Sequence, residues 1–363
     1  MGQLTPSRTR LSSHFLLSDV MGCSSIYSRG LANVFDKKPG VDERLTNLRA
    51  LCENALEPII ATVGSVSVTY GFISPEISRE LVTYQDWRKP SHHRADLGAA
   101  VDIIPHHYVL QSSANGAEKH SGAPIMFALE HMQDLPLSRL ITYSESPCIC
   151  VAVSAEEVAE GRPRGAWYEN RYAGNTGAKP DYRKYPSEQA RKRAFANLCE
   201  CGLDHRWTGK GHPTYHGGGR RQLHHIRASR YTMVTDFLYD EHFVRSGIRN
   251  QPSLDNPLVR EAFTIAGKAY DYLLQVTGLP RLSIVSGYTS HLSRDWIEGR
   301  DWRGPDISFE IVPPQYIAPA DFVKLYWKED NKEPGGMHSL FGNLVVEADD
   351  DRVIVTVRRS IEW

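Results

Sequence analysis

Long apolar runs are missing from this chain. No stretch reaches the roughly twenty consecutive apolar residues that a membrane-spanning helix needs. The opening MGQLTPSRTRLSSHF lacks the uninterrupted apolar core of a secretory signal. It also fails the myristoylation pattern, because Pro6 stands where Ser or Thr is required. A dominant charge is lacking too: 42 Lys and Arg face 43 Asp and Glu, and the net charge of −1 names no partner for the chain as a whole. Cysteine is scarce. Six in 363 residues (Cys23, Cys52, Cys148, Cys150, Cys199, Cys201) do not make a disulfide framework. The expectation is synthesis in a reducing cytoplasm, with no signal peptide and no membrane partner. A protein released by cell lysis carries the same signature.

What is present is length enough for two domains with cores of their own, and a repeat. SRGLAN (28–33) returns as RSGIRN (245–250), so that Gly30 and Gly247, and Asn33 and Asn250, each stand 217 positions apart. Upstream, HFLLSD (14–19) resembles RYTMVTD (230–236). Downstream, Leu45, Leu48, Cys52, Leu56 and Ile59 recur at three- and four-residue steps, as do Val259, Phe263, Ala266, Tyr270 and Leu273. Each set lies on one face of a helix, and Gly64 and Gly278 are the expected helix stops. A β-rich run follows in each half, VSVTYGFIS (66–74) and LSIVSGYTS (282–290). Then come a polar loop and an apolar strand, GAAVDII (98–104) and DISFEIV (306–312). Another helix and a last strand close each half, the strands lying in RLITYSESPCICVAV (139–153) and DDRVIVTV (350–357). The predicted class is α+β: two tandem domains, 10–155 and 225–363, each an antiparallel sheet with helices, joined by an insert over 156–224.

The insert is basic. Residues 161–230 hold 15 Lys and Arg against 5 Asp and Glu, about +10, so the rest of the chain carries about −11. It is rich in Gly, Tyr and His and reads as a long, partly ordered connection. Its charge, interleaved with Tyr168, Tyr172, Tyr182 and Tyr185, suits nucleic acid or an anionic cell-wall polymer, with a solvated linker as the alternative. Cys199, Cys201, His212 and His216 form C-x-C-x10-H-x3-H. The His spacing suits a structural zinc, while the Cys pair is tighter than the usual two to four residues. LHHI (223–226) resembles the opening of an HNH nuclease motif, without the later Asn and His at matching spacing.

The richest stretch is SHHRADLGAAVDIIP (91–105), a histidine pair followed by an Asp carried into an apolar strand. With its neighbours it forms an ordered series: LSSHFLLSD, RGLAN, NLRALCENALEP, TYGFIS, SHHRADLGAAVD and CICVA. The second half runs SRYTMVTD, SGIRNQP, SGYTS, DISFE and VIVTV. This order resembles the zinc D-Ala-D-Ala carboxypeptidase family, especially its bacteriophage and cell-wall members with a Hedgehog-like fold. That family opens with LS-x-x-F-x-L-x-E and RG-x-x-N-x-P. It continues with N-L-x-x-L-x-x-x-x-L-x-P, SGYRS and S-x-H-x-x-G-x-A-x-D, and it ends on W-V-H-V-S. The resemblance spans both halves and not the insert.

It implies a zinc held by a His and an Asp of the fifth motif and a His of the last strand. A Glu before that strand is the general base, and the SGYRS Arg binds substrate. Gly98, Ala100 and Asp102 match G-x-A-x-D, so Asp102 takes the Asp place. The His place by strict spacing is Ala95, and His93 is the nearest candidate, two residues earlier. Cys150 stands at the last-strand His, a position where a thiolate also ligates zinc. Glu145 is the candidate base, and Ile73 replaces the Arg. In the second copy Glu310 aligns with the Asp, Arg303 with the His, Val355 with the last His and Thr289 with the Arg. No catalytic zinc is expected there.

Each assignment has a structural alternative. His92 and His93 as loop histidines, Asp102 as a strand-end hydrogen-bonding group, Cys150 as a small core residue and Glu145 as an exposed carboxylate account for the same letters. Two functions follow. One is a zinc peptidase acting on D-amino-acid peptide bonds of peptidoglycan, phage-encoded and released by lysis or carried on the virion. The other is a non-catalytic, duplicated peptidase fold serving as a binding or phage structural protein, with nucleic acid as a partner of the insert. The oligomeric state is not readable.

Overall fold

The computed structural model describes residues 4–35, 41–81, 92–106, 111–112, 118–119, 135, 137–143, 148–154, 167–171, 223, 226–290, 302, 306–330 and 344–358. Its helices are α1 (Ser24–Arg29), α2 (Val41–Leu51), α3 (Glu57–Val63), α4 (Pro75–Leu81), α5 (Glu241–Ser246), α6 (Pro257–Thr277) and α7 (Pro319–Asp330). Its strands are β1 (Val66–Tyr70), β2 (Gly98–Pro105), β3 (Gln111–Ser112), β4 (Glu118–Lys119), β5 (Arg139–Tyr143), β6 (Ile149–Ser154), β7 (Trp167–Arg171), β8 (Ser283–Ser286), β9 (Asp306–Val312), β10 (Leu344–Ala348) and β11 (Val353–Arg358). The class is α+β. Two compact units divide the chain: a middle unit, 36–226, and a two-segment unit made of 1–35 and 227–363. Among the described residues no helix is long and apolar enough to cross a membrane.

In the middle unit the predicted helical face is real. Leu45, Leu48, Cys52, Leu56 and Ile59 are all buried. α2 runs into α3 through one π turn, Cys52–Leu56. Pro58 has no N–H to give to the carbonyl of Asn54, and a wider turn absorbs the defect. Gly64, at φ +77°, ends the helix. The sheet has the order β1-β2-β6-β5-β7. Its first four strands are antiparallel, and β7 joins β5 in parallel. β7 belongs to the stretch predicted as a connecting insert, so part of that insert is an edge strand of the sheet. Alternation gives the sheet two faces. Val101, Ile103, Ile149, Val151 and Val153, all at 0% exposure, form the apolar face. Ala100 and Ala152 lie on the other, beside Cys150.

The two-segment unit has an antiparallel sheet of order β10-β11-β9-β8. α6 is capped by Asn256, whose Oδ1 accepts from Leu258 N–H, and it ends at left-handed Gly278. Val259, Phe263, Ala266, Tyr270 and Leu273 are buried along it, as the spacing predicts. Gly267 lets the 228–232 turn lie against the helix: a Cβ there would stand 2.7 Å from Ser229 Cβ. One helical turn on, Asp271 accepts from Ser229 Oγ–H and from the N–H groups of Arg230 and Tyr231.

Residues 10–35 were expected with the first domain. They pack instead with the C-terminal segment, because buried polar groups require it. Arg281 Nη2 reaches Asp19 Oδ1 at 2.9 Å, and Ser283 Oγ donates to Asp19 Oδ2 at 2.6 Å. Asn33 N–H donates to Val244 O, and Asn250 N–H donates to Tyr27 O, both at 2.9 Å. Asn33 Nδ2 donates to Met21 O and Asn250 Nδ2 to Leu238 O. The glycines Gly30 and Gly247 stand where these segments touch, and a Cβ on Gly30 would lie 2.8 Å from Gly247 O.

Arg281→Ala strands the buried carboxylate of Asp19 and lowers the unfolding free energy in urea by about 3–5 kcal/mol. Lys324→Ala, which breaks the exposed pair with Asp321, costs under about 1 kcal/mol. Burial pushes Asp271 up to about 6 against its hydrogen bonds from Ser229, Tyr231 and Arg230. The folded chain then holds that proton more tightly than the unfolded chain. Its contribution is complete below the ordinary value of 3.8 and is lost as pH rises through about 6. Urea midpoints across this range should show the wild type losing stability relative to Asp271→Asn as pH rises.

Candidate metal centre

β2 and β6 place two candidate donors directly opposite each other. Asp102 and Cys150 are Cα partners in the antiparallel ladder, so their side chains leave the small-residue face together. β1 adds a third row member. Its ladder runs Val66↔Pro105, Ser67↔Ile104 and Val68↔Ile103, then slips and pairs Tyr70 with Asp102. Without that bulge Tyr70 would stand opposite Val101 on the apolar face. With it, Tyr70 joins the row of Asp102 and Cys150. Thr69, the extra residue, is buried and donates from Oγ1 to Asp102 O at 3.1 Å, with Cys148 Sγ 3.4 Å away.

His93 arrives from a 3-10 turn, His92–Arg94. That turn is pinned from both sides. Asn47 of α2, itself buried, donates from Nδ2 to Ala95 O at 2.9 Å. Arg44 and Arg94 both pair with Asp96 at 3.0 Å. Ala95 is fully buried with φ +56°, so the position that spacing assigned to the family's His is a backbone corner, and the imidazole comes from His93. Ile73, at the Arg position, is buried and gives its N–H to His93 O at 2.9 Å.

The ring geometry decides the chemistry. His93 Nδ1 lies 3.3 Å from Gly71 O, an acceptor only, so Nδ1 carries the proton and the Nε2 lone pair points the other way. From that Nε2, Asp102 Oδ1 and Cys150 Sγ are each 3.9 Å away. The three donor atoms lie within 4.8 Å of one another. Donors about 2.0–2.3 Å from one tetrahedral ion stand about 3.3–3.6 Å apart, so the three atoms sit slightly, and up to about 1 Å, beyond the spacing that a shared ion imposes. A cysteine-nucleophile triad needs thiol and carboxylate on opposite ring nitrogens. Here both face Nε2, which fits a shared cation and not a relay. Cys150 is buried, while His93 and Asp102 keep about a fifth of their side-chain surface in solvent, which leaves an approach from one side.

The two-segment unit holds a parallel arrangement with different residues. β8 slips between Ile284 and Ser286, so that Ser286 pairs with Glu310. Ile354 stands opposite Glu310 as Cys150 stands opposite Asp102. Val355, the residue aligned with the last-strand His, pairs with Phe309, both at 0% exposure, on the other face. Glu310 is buried against Arg352, whose Nη1 lies 2.6 Å from Oε2. Trp302, at φ +51°, turns into the aromatic core beside Phe263 and Phe237. A guanidinium thus neutralises the carboxylate here, and the loop supplies an indole.

Glu145, Arg303, Cys199, Cys201, His212 and His216 lie outside the described residues. Sequence reasoning missed Asn47, Arg44, Asp96, Tyr70 and Gly71. Asn47 lies at the head of NLRAL, Tyr70 and Gly71 in TYGFIS and Asp96 in SHHRADLGAAVD, but nothing in those motifs marked their contacts. No family model, no curated protein and no solved structure matches the chain. Arg352→Leu should lower the unfolding free energy by about 2–3 kcal/mol, since it strands buried Glu310. Urea titration of this variant beside wild type reads the loss.

Proposed function

We propose that the chain is a duplicated, diverged relative of the zinc D-Ala-D-Ala peptidases, whose first copy retains a His93/Asp102/Cys150 zinc centre acting on peptidoglycan peptide bonds. The observation that carries this is the convergence of Asp102 and Cys150 on the same nitrogen of His93. Duplication is supported by features that recur 217 positions apart. The bridges Arg10↔Leu16 and Arg227↔Met233 are one pair. Leu16 N–H to Asp19 and Met233 N–H to Asp236 are another, both at 2.7 Å. α1 and α5 have equal length, each ending on a left-handed glycine. Both sheets also carry a bulge, between Val68 and Tyr70 and between Ile284 and Ser286, at an offset of 216.

His93 supplies a neutral nitrogen with its tautomer set by Gly71 O. Asp102 supplies a hard anionic oxygen and Cys150 a thiolate, both in a row that the sheet keeps rigid. A zinc held by His93, Asp102 and Cys150 would supply Lewis-acid polarisation of a scissile carbonyl and a water acidified enough to ionise near neutral pH. Glu145 is assigned the general base, taking the proton of the attacking water before it passes to the leaving amine.

A second reading, a non-catalytic binding or phage structural protein with nucleic acid on the basic insert, is favoured by two features. Buried Ile73 replaces the substrate-binding Arg, and Arg352 closes the matching place on Glu310. The test uses protein made without a histidine tag. About one zinc per chain is expected, lost in Asp102→Ala and Cys150→Ser, together with chelator-sensitive cleavage of D-alanyl-D-alanine peptides. No zinc, or zinc indifferent to both changes, refutes the metal centre. Zinc without cleavage leaves the binding reading standing.

A further inference from the structure

The geometry points to Tyr70 as the positioning residue of this centre: its ring sets the plane of His93, so that Nε2 stays aimed at Asp102 and Cys150. The inference rests on the zinc reading above and adds a residue to it. Three consecutive features of one short segment hold His93. Tyr70 packs edge to face on the imidazole, with ring centroids 4.8 Å apart and an interplanar angle of 86°. Gly71 O accepts a hydrogen bond from Nδ1–H. Ile73 N–H binds the His93 carbonyl. The hydrogen bond to Gly71 fixes which nitrogen is protonated but leaves the ring able to swing about that contact. A perpendicular aromatic neighbour removes the swing, and aromatic pairs of this geometry are attractive beyond their burial.

The backbone is built to deliver this ring. Regular alternation would send Tyr70 to the apolar face with Val66 and Val68. The slip between Val68 and Tyr70 turns it to the metal face, in register with Asp102. The same slip recurs in the two-segment unit, where the delivered residue is Ser286 and its cross-strand partner, Glu310, pairs with Arg352. An aromatic ring is present at the bulge that faces a histidine, and a serine at the bulge that faces an ion pair.

The experiment measures zinc affinity by competition with a chromophoric chelator for wild type, Tyr70→Ser and Tyr70→Phe. Visible and near-ultraviolet spectra of the cobalt-substituted proteins report the ligand geometry directly. Urea midpoints of the metal-free proteins separate affinity from stability. Tyr70→Ser is expected to bind zinc about 10- to 100-fold more weakly, the usual range for groups that orient a metal ligand, and to alter the cobalt spectrum. Tyr70→Phe keeps the ring and should stay within about threefold of wild type. Unchanged affinity and spectrum in Tyr70→Ser overturn the proposal while the zinc reading survives. So does a Tyr70→Phe protein that binds zinc about 10-fold or more weakly than wild type, because the hydroxyl would then carry the effect. That comparison needs only wild type, so it can overturn the proposal even if the serine variant does not fold. Wild type that binds no zinc removes the zinc reading and this role together.

Discussion

An antiparallel ladder leaves two facing residues no choice of partner, and the register of β2 against β6 is the constraint on which the rest of this site depends. Asp102 meets Cys150 because Val101, Ile103, Ile149, Val151 and Val153 must all be buried on the opposite face. A slip of one residue would turn that apolar set to the face of the donors and send the carboxylate into the core. The core thus enforces the juxtaposition of a carboxylate and a thiol, at no cost in specific contacts between them. His93 and Tyr70 are brought to this fixed pair by two local irregularities, a pinned turn and a bulge.

Those irregularities are held by buried polar groups acting on backbone. Asn47 holds the carbonyl of Ala95 at its unusual φ, and Thr69 holds the carbonyl of Asp102. The two-segment unit uses the same device more widely. Asn33 and Asn250, both at 0% exposure, each bind a carbonyl through Nδ2 while their own N–H groups cross to the other segment. Such groups are expensive to bury unless satisfied, so they specify one arrangement where apolar contacts alone would accept several. Asp19 with Arg281 and Ser283 extends the rule to charge, tying positions 262 and 264 residues apart.

The two sheets share a bulge with a carboxylate across from it, and they differ in what surrounds that carboxylate. Ile354 stands opposite Glu310, and Arg352 supplies a cation to it. A guanidinium has no lone pair to offer a metal. The same local register thus carries an ion pair in one sheet and three clustered donor atoms in the other.

The helical faces around Leu48 and Phe263, the glycine stops at Gly64 and Gly278, and the strands carrying Asp102 and Cys150 were legible in the sequence, because periodicity and left-handed turns are local properties. The candidate donors were legible as well, though only as letters. Three things were decided by tertiary structure. Residues 10–35 joined the C-terminal segment, since hydrogen bonds to Tyr27, Asn33 and Asp19 come from partners hundreds of positions away. The residue facing Glu310 on the last strand is Ile354 and not Val355, since register is set by packing on a whole face and a period of two makes a one-residue shift a change of side. Tyr70 entered the row of Asp102 and Cys150, since a bulge reverses facing without leaving a mark in the alternation that a sequence displays.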